Sequence, residues 1–109
     1  MIRPVPFETY PCDQIGADAL AAQTYFKRKH DVVCVLDLET LERIVSESES
    51  LYRNGSEHPF ETALEMNEPY RSDWERGCYV RAARAIIGRR IAYKQQTGGW
   101  QRKLPFTPR

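Results

Sequence analysis

Three cysteines and two histidines are the side chains of this chain best suited to covalent or metal chemistry: Cys12, Cys34, Cys78, His30 and His58. Structural zinc sites usually draw their ligands in close pairs such as Cys-x2-Cys. The nearest approach here is His30-x3-Cys34, with Cys12, His58 and Cys78 scattered, so no metal site is expected. Cys34 and Cys78 lie in or beside apolar runs and read as small core residues. Nucleophilic catalysis needs a Cys or Ser held against a base and an orienting group. Cys12 with His30 or His58 is the combination to weigh, and no local signature supports it. A Gly-rich phosphate loop, a His-Glu-x-x-His pair and a nucleophile elbow are all missing from the sequence. The expectation is a non-enzyme with no catalytic residue and no cofactor.

Charge is the stronger signal. Residues 1–70 hold six Lys/Arg against thirteen Asp/Glu, a net of −7, whereas residues 71–109 hold ten against two, a net of +8. The overall +1 is the small difference between two opposed segments. The first 36 residues balance at four and four, so the negative excess belongs to residues 37–68. Such sorting suits a chain that meets a charged partner or folds its basic end over its acidic middle.

Two candidate contact surfaces follow. On helices, Glu39, Glu42, Glu49, Glu61 and Glu65 would present negative charge to a basic groove, including one meant for nucleic acid. The plainer alternative is a solvated face partly neutralised by the chain's own arginines. In the basic segment, Arg81, Arg84, Arg89, Arg90, Trp100, Arg102 and Lys103 combine guanidinium groups with aromatic rings, the usual material for gripping phosphates and stacking on bases. Arg81, Arg84 and Arg89 nevertheless fan around a helix, and several could pair with the acidic segment inside the fold. Trp100, Leu104 and Phe106 could anchor the tail on its own core or in a partner's groove.

The elements that would position these residues are mostly helical. Residues 1–12 carry Pro4, Pro6 and Pro11 and read as an extended arm. Asp13 is placed to cap a helix reaching about His30, closed by Lys27-Arg28-Lys29-His30 where the helix dipole favours cations. Val32 to Leu36 is strand-like by its β-branched content. Yet Cys34, Leu38, Leu41, Val45 and Tyr52 fall on one stripe, which favours a helix from Asp31 to about Arg53; a short strand at 32–36 is the alternative. Ser46 to Ser50 then reads as a solvated turn of that helix, and Asn54-Gly55 as its end. Pro59 suits a helix's first turn, with Phe60, Ala63 and Leu64 as its apolar face. Ser72-Asp73-Trp74-Glu75 fits a capping box opening a helix to about Gln95. Trp74 and a stripe of Tyr79, Val80, Ala83, Ile86, Ile87 and Ile91 would enter the core, with Gly77 and Gly88 where another helix comes close. Residues 97–109 form a basic, aromatic tail.

At 109 residues, 41% hydrophobic and 28% charged, the chain is expected to form one mainly α domain of three or four helices with an extended arm and tail. Its longest apolar run, Val32 to Leu36, falls far short of the roughly 20 residues of a membrane span. The N-terminus has no apolar stretch of the signal-peptide kind. Three odd, widely spaced cysteines add to a cytoplasmic expectation with reduced thiols. Twelve arginines against four lysines fit either a GC-rich genome or a preference for the guanidinium's planar, multi-donor head at contacts.

Asn67-Glu68-Pro69-Tyr70-Arg71-Ser72-Asp73-Trp74-Glu75-Arg76-Gly77, followed by Ala82 and Ala83, resembles a pattern in ribosome-modulation-factor-like and other short phage or prophage proteins. There a Pro-Tyr turn leads into a helix carrying Trp-x-x-Gly. The resemblance spans about residues 67–83 and implies a small bacterial or phage accessory protein. Together these readings predict a protein that modulates or inhibits a bacterial nucleic-acid-handling complex through its acidic surface. The alternative is an RNA-, ribosome- or DNA-binding protein using the C-terminal Arg and aromatic residues. A homodimer could join opposed charges between copies.

Overall fold

In the computed structural model, which describes residues 10–67 and 72–97, four helices follow one another: α1 (Ile15–His30), α2 (Leu38–Arg53), α3 (Pro59–Asn67) and α4 (Asp73–Thr97). No strand occurs among the described residues, and the mainly α expectation holds. Most of the predicted arm (residues 1–9) and of the predicted tail (98–109) lies outside the described residues, as do 68–71.

The architecture follows from α4. Its buried residues fall on two adjacent rows with a spacing of four: Cys78, Ala82, Ile86 and Arg90 on one, and Tyr79, Ala83 and Ile87 on the other. Rows at this spacing lie on one broad face of a helix, wide enough to be covered from more than one side. α1 packs along α4 on one flank and α2 and α3 pack on the other, while α1 and α3 do not touch. Ala19, Ala22 and Phe26 of α1, Leu41, Ile44 and Val45 of α2, and Ala63 and Leu64 of α3 belong to one apolar cluster joined through the α4 rows.

Local signals account for most boundaries. The Ser72 hydroxyl accepts from the Glu75 N–H at 3.3 Å and donates to the Glu75 carboxylate, so the expected capping box opens α4. Pro59 begins α3 as its first residue. Gly55, at φ 87°, supplies the left-handed step after α2, and the following Ser56 N–H donates back to Leu51.

Four expectations are corrected. Asp13 does not cap α1, which has no side-chain cap at Gln14; the Asp13 carboxylate instead accepts from the Tyr10 N–H and from Arg90. Asp31 does not open α2 either. It ends α1 in the left-handed conformation (φ 56°), and α2 starts seven residues later behind Asp37, whose carboxylate accepts from the Thr40 N–H and hydroxyl at 2.9 and 2.8 Å. Residues 32–36 are neither helix nor strand. Cys34 and Leu36 point inward while Val33 and Val35 are exposed, a two-residue alternation that a helix cannot satisfy. Side chains hold this connection in place of a ladder: Gln23 accepts from the Leu36 N–H at 2.8 Å and the Tyr79 hydroxyl from the Asp37 N–H at 3.0 Å. Finally, Ser46, Ser48 and Glu49 are buried, so the Ser-Glu-Ser-Glu-Ser run is not a solvated turn.

The two helical glycines of α4 part company. A Cβ at Gly77 would sit 3.2 Å from the Phe26 ring, whereas one at Gly88 would meet nothing within 4 Å, so the expected close approach exists only at Gly77. Gly88→Ala should therefore collect the helix-propensity gain of about 1 kcal/mol, and Gly77→Ala should gain less because Phe26 must move. Urea denaturation of both variants checks this; equal stabilisation would contradict the packing described at Gly77.

Candidate functional site

The sorted charges are largely spent inside the molecule. Arg90, four residues after Ile86 on the buried row, is 1% exposed. Its Nε and Nη2 donate to the two Asp13 oxygens at 2.9 and 2.7 Å, and its Nη1 donates to Glu49. Glu49 also accepts from the Tyr10 hydroxyl at 2.7 Å and pairs with Arg53 at 3.4 Å. The Arg90 guanidinium lies 4.3 Å from the centre of the Tyr10 ring. Two carboxylates and two guanidinium groups thus balance in a knot that ties the segment before α1 to α2 and α4.

Protonation follows this geometry. Burial alone would raise the Asp13 pKa, but the hydrogen bonds from Arg90 and the Tyr10 N–H, with the charges of Arg90 and Arg89, outweigh it and hold the carboxyl below its ordinary value. Burial likewise works against the charge of Arg90, and Asp13 and Glu49 more than compensate, so its pKa is raised. Burial and the hydrogen bond to Glu49 push the Tyr10 phenol up to about 12, leaving it a proton donor across the physiological range.

Of the acidic residues expected to face a partner, Glu49 is therefore interior. Glu61 and Glu65 are exposed but pair with Arg84 at 3.0 Å and Arg76 at 2.7 Å across the α3–α4 junction. Pairs this exposed contribute under about 1 kcal/mol each and exchange readily with solvent. Glu39, Glu42, Glu47 and Glu57 have no ion pair with a described cation. On the basic side, Arg89 is bonded to Asp18 and to the Cys12 carbonyl, and Arg90 is buried. Arg81 is exposed and stacks over the Tyr25 ring at 3.4 Å. Trp100, Arg102 and Lys103 lie outside the described residues.

A cleft of about 760 Å³ runs between α1 and α4, lined by Ala22, Tyr25, Phe26, His30, Gly77 and Arg81 among others. Trp74, expected in the core, is instead 44% exposed at one end of this region. His30 covers one part of its ring at 4.7 Å between centroids, and Phe26 meets it edge-on at 6.1 Å.

The thiols and imidazoles are dispersed. Cys34 and Cys78 are buried, and burial, with Cys34 alongside, pushes the Cys78 thiol up to about 12, far from a reactive thiolate. Cys12 lies before α1 and His30 at the far end of this sixteen-residue helix, which is about 24 Å long. Among the described residues no group of three or more His, Cys, Asp or Glu side chains is placed to hold a metal ion. No described helix is long and apolar enough to cross a membrane.

The sequence offered one overlooked clue to Arg90: it continues the spacing Cys78–Ala82–Ile86. Asp13 and Glu49 gave no signal of their own, because their partner is 77 and 41 residues away in the chain. No protein-family model matches the chain, and neither a curated protein nor a solved structure does.

Arg90→Met should destabilise the protein by about 3–5 kcal/mol, because it strands Asp13 and Glu49 without their shared cation. The triple change with Asp13→Asn and Glu49→Gln should recover part of that loss. Denaturant midpoints measure both effects, and a loss under about 1 kcal/mol for Arg90→Met would contradict the buried knot.

Acid should act through Asp13. Its folded pKa lies below the unfolded 3.8, so its contribution is complete above about pH 5 and drains away as pH falls through 3.8 toward the folded value. Asp13→Asn should be less stable at neutral pH and lose less on acidification; parallel stability profiles for the two proteins would refute the linkage.

Proposed function

We propose that this chain is a small non-enzymatic accessory protein, phage-encoded, that docks through its acidic flank on a basic surface of a bacterial nucleic-acid-handling complex and modulates or inhibits it. One observation carries the reading: Glu39, Glu42 and Glu47 stay on α2 without a described cation, while Arg76, Arg84, Arg89 and Arg90 of α4 are engaged by the chain's own carboxylates. Internal pairing therefore leaves uncompensated negative charge on the α2 side. Such a patch speeds encounter with a positive groove and disfavours acidic partners. The exposed Glu61–Arg84 and Glu65–Arg76 pairs add carboxylates at the α3–α4 junction, and either can trade its internal cation for one on a partner at little cost. The resemblance over residues 67–83 supports the phage or prophage origin and the accessory role.

A test compares wild type with Glu39→Lys/Glu42→Lys/Glu47→Lys in affinity capture from bacterial lysate, with the captured complex then purified and its affinity measured against salt. The charge-reversed protein should lose the complex, and a control carrying Gln95→Lys and Gln96→Lys, exposed at the far end of α4, should keep it. Equal recovery by wild type and the triple variant would remove the acidic flank from the account.

A further inference from the structure

The opposite flank carries a different chemistry. Four rings form a continuous chain that starts in the α1–α4 cleft and ends beyond it at Trp74: Tyr25 meets Phe26 at 5.5 Å, Phe26 meets His30 at 5.5 Å, and His30 meets Trp74 at 4.7 Å. A tryptophan in a small protein normally adds its large apolar area to the core. Trp74 does not; it is propped by His30 and Phe26 on one side and is 44% exposed. Support of that kind fixes the plane of the indole while leaving ring surface open.

Cations border the rings at the Tyr25 end, while Asp73 and Glu75 flank Trp74 in the chain. Arg81 lies flat on Tyr25 at 3.4 Å, and no ion pair joins it to a described carboxylate, so the edge of its guanidinium stays open to acceptors. The last turn of α1 adds Arg28 and Lys29, both exposed, beside Tyr25. Arg84, also on the cleft, is held only by the exposed Glu61 pair. The one carboxylate lining the cleft, Asp18, is already bonded to Arg89. Asp31 pairs with Lys27 at 2.7 Å.

We propose that single-stranded nucleic acid binds along this side of α1, with an unpaired base stacked on Trp74 beyond the α1–α4 cleft and phosphates held by Arg81 in the cleft and by Arg28 and Lys29 in the adjoining groove past Tyr25. Cations alone would serve an acidic peptide equally well. The rigid, half-open ring chain adds affinity only for a partner with a planar face, and alternating planar bases with phosphates matches alternating rings with guanidinium groups. A duplex keeps its bases stacked and offers no free face to Trp74. This site is independent of the acidic flank and stands whether or not that flank docks a protein.

The chain has two tryptophans, so in a Trp100→Phe background Trp74 is the sole indole reporter. That protein is titrated with a labelled oligouridylate about a dozen nucleotides long and with a duplex of equal length, reading anisotropy and Trp74 fluorescence. The single strand should bind, quench Trp74, and weaken several-fold between about 50 and 200 mM salt. Trp74→Ala should lose at least about fivefold in affinity, Trp74→Phe should recover part of it, and Arg81→Gln should weaken binding and flatten the salt dependence. Circular dichroism confirms that each variant is folded. No binding at low salt, unchanged affinity in both folded Trp74→Ala and Arg81→Gln, or equal binding of the duplex without quenching would each overturn the proposal; preference for an acidic peptide over the oligonucleotide would do so too.

Discussion

An arginine with almost no exposed surface, shared by two carboxylates from distant parts of the chain, is the constraint on which the remaining arrangement depends. A guanidinium cannot give up its proton in a protein interior, so burying Arg90 obliges the fold to bring carboxylates to it. Asp13 and Glu49 meet that demand, with Tyr10 donating to Glu49 and facing the guanidinium with its ring. The knot fixes the approach to α1, the middle of α2 and the later part of α4 relative to one another. Such a cluster does not outperform well-packed apolar side chains in stability. Its consequence is geometric: the donors and acceptors fit in one arrangement, whereas apolar contacts tolerate sliding.

That internal settlement decides what remains outside. Arg89 and Arg90 are committed to Asp18, Asp13 and Glu49, and Arg76 and Arg84 to Glu65 and Glu61. The strong charge division of the sequence is thereby reduced to two modest faces. One is the set of α2 carboxylates without described cations. The other is the α1–α4 cleft with its adjoining groove, where Arg81, Arg28 and Lys29 border one end of a chain of aromatic rings.

Local chemistry was legible in the sequence, and long-range pairing was not. The Ser72 box, Pro59 and Gly55 mark boundaries through interactions within a few residues, so their signals survive without tertiary context. Residues 32–36 misled because Cys34 satisfies both a helical stripe and a two-residue alternation; the exposure of Val33 and Val35 distinguishes them only in the fold. The row Trp74–Cys78–Ala82–Ile86–Arg90 misled at both ends. Hydropathy puts the tryptophan inside and the arginine outside, and the molecule reverses them: Trp74 stays 44% exposed against His30, while distant carboxylates draw Arg90 in. The candidate residues shifted with it, Glu49 moving inward and Trp74 outward.

The buried knot can be observed without changing a residue. Side-chain nitrogen NMR reads the exchange of each arginine Nε–H with solvent, and Arg90 Nε donates to Asp13 at 2.9 Å inside the protein, whereas Arg81 is exposed. The account predicts that the Arg90 Nε–H is protected to a degree similar to the buried amides of α4, while that of Arg81 exchanges rapidly. Exchange of Arg90 as fast as that of Arg81 would contradict it.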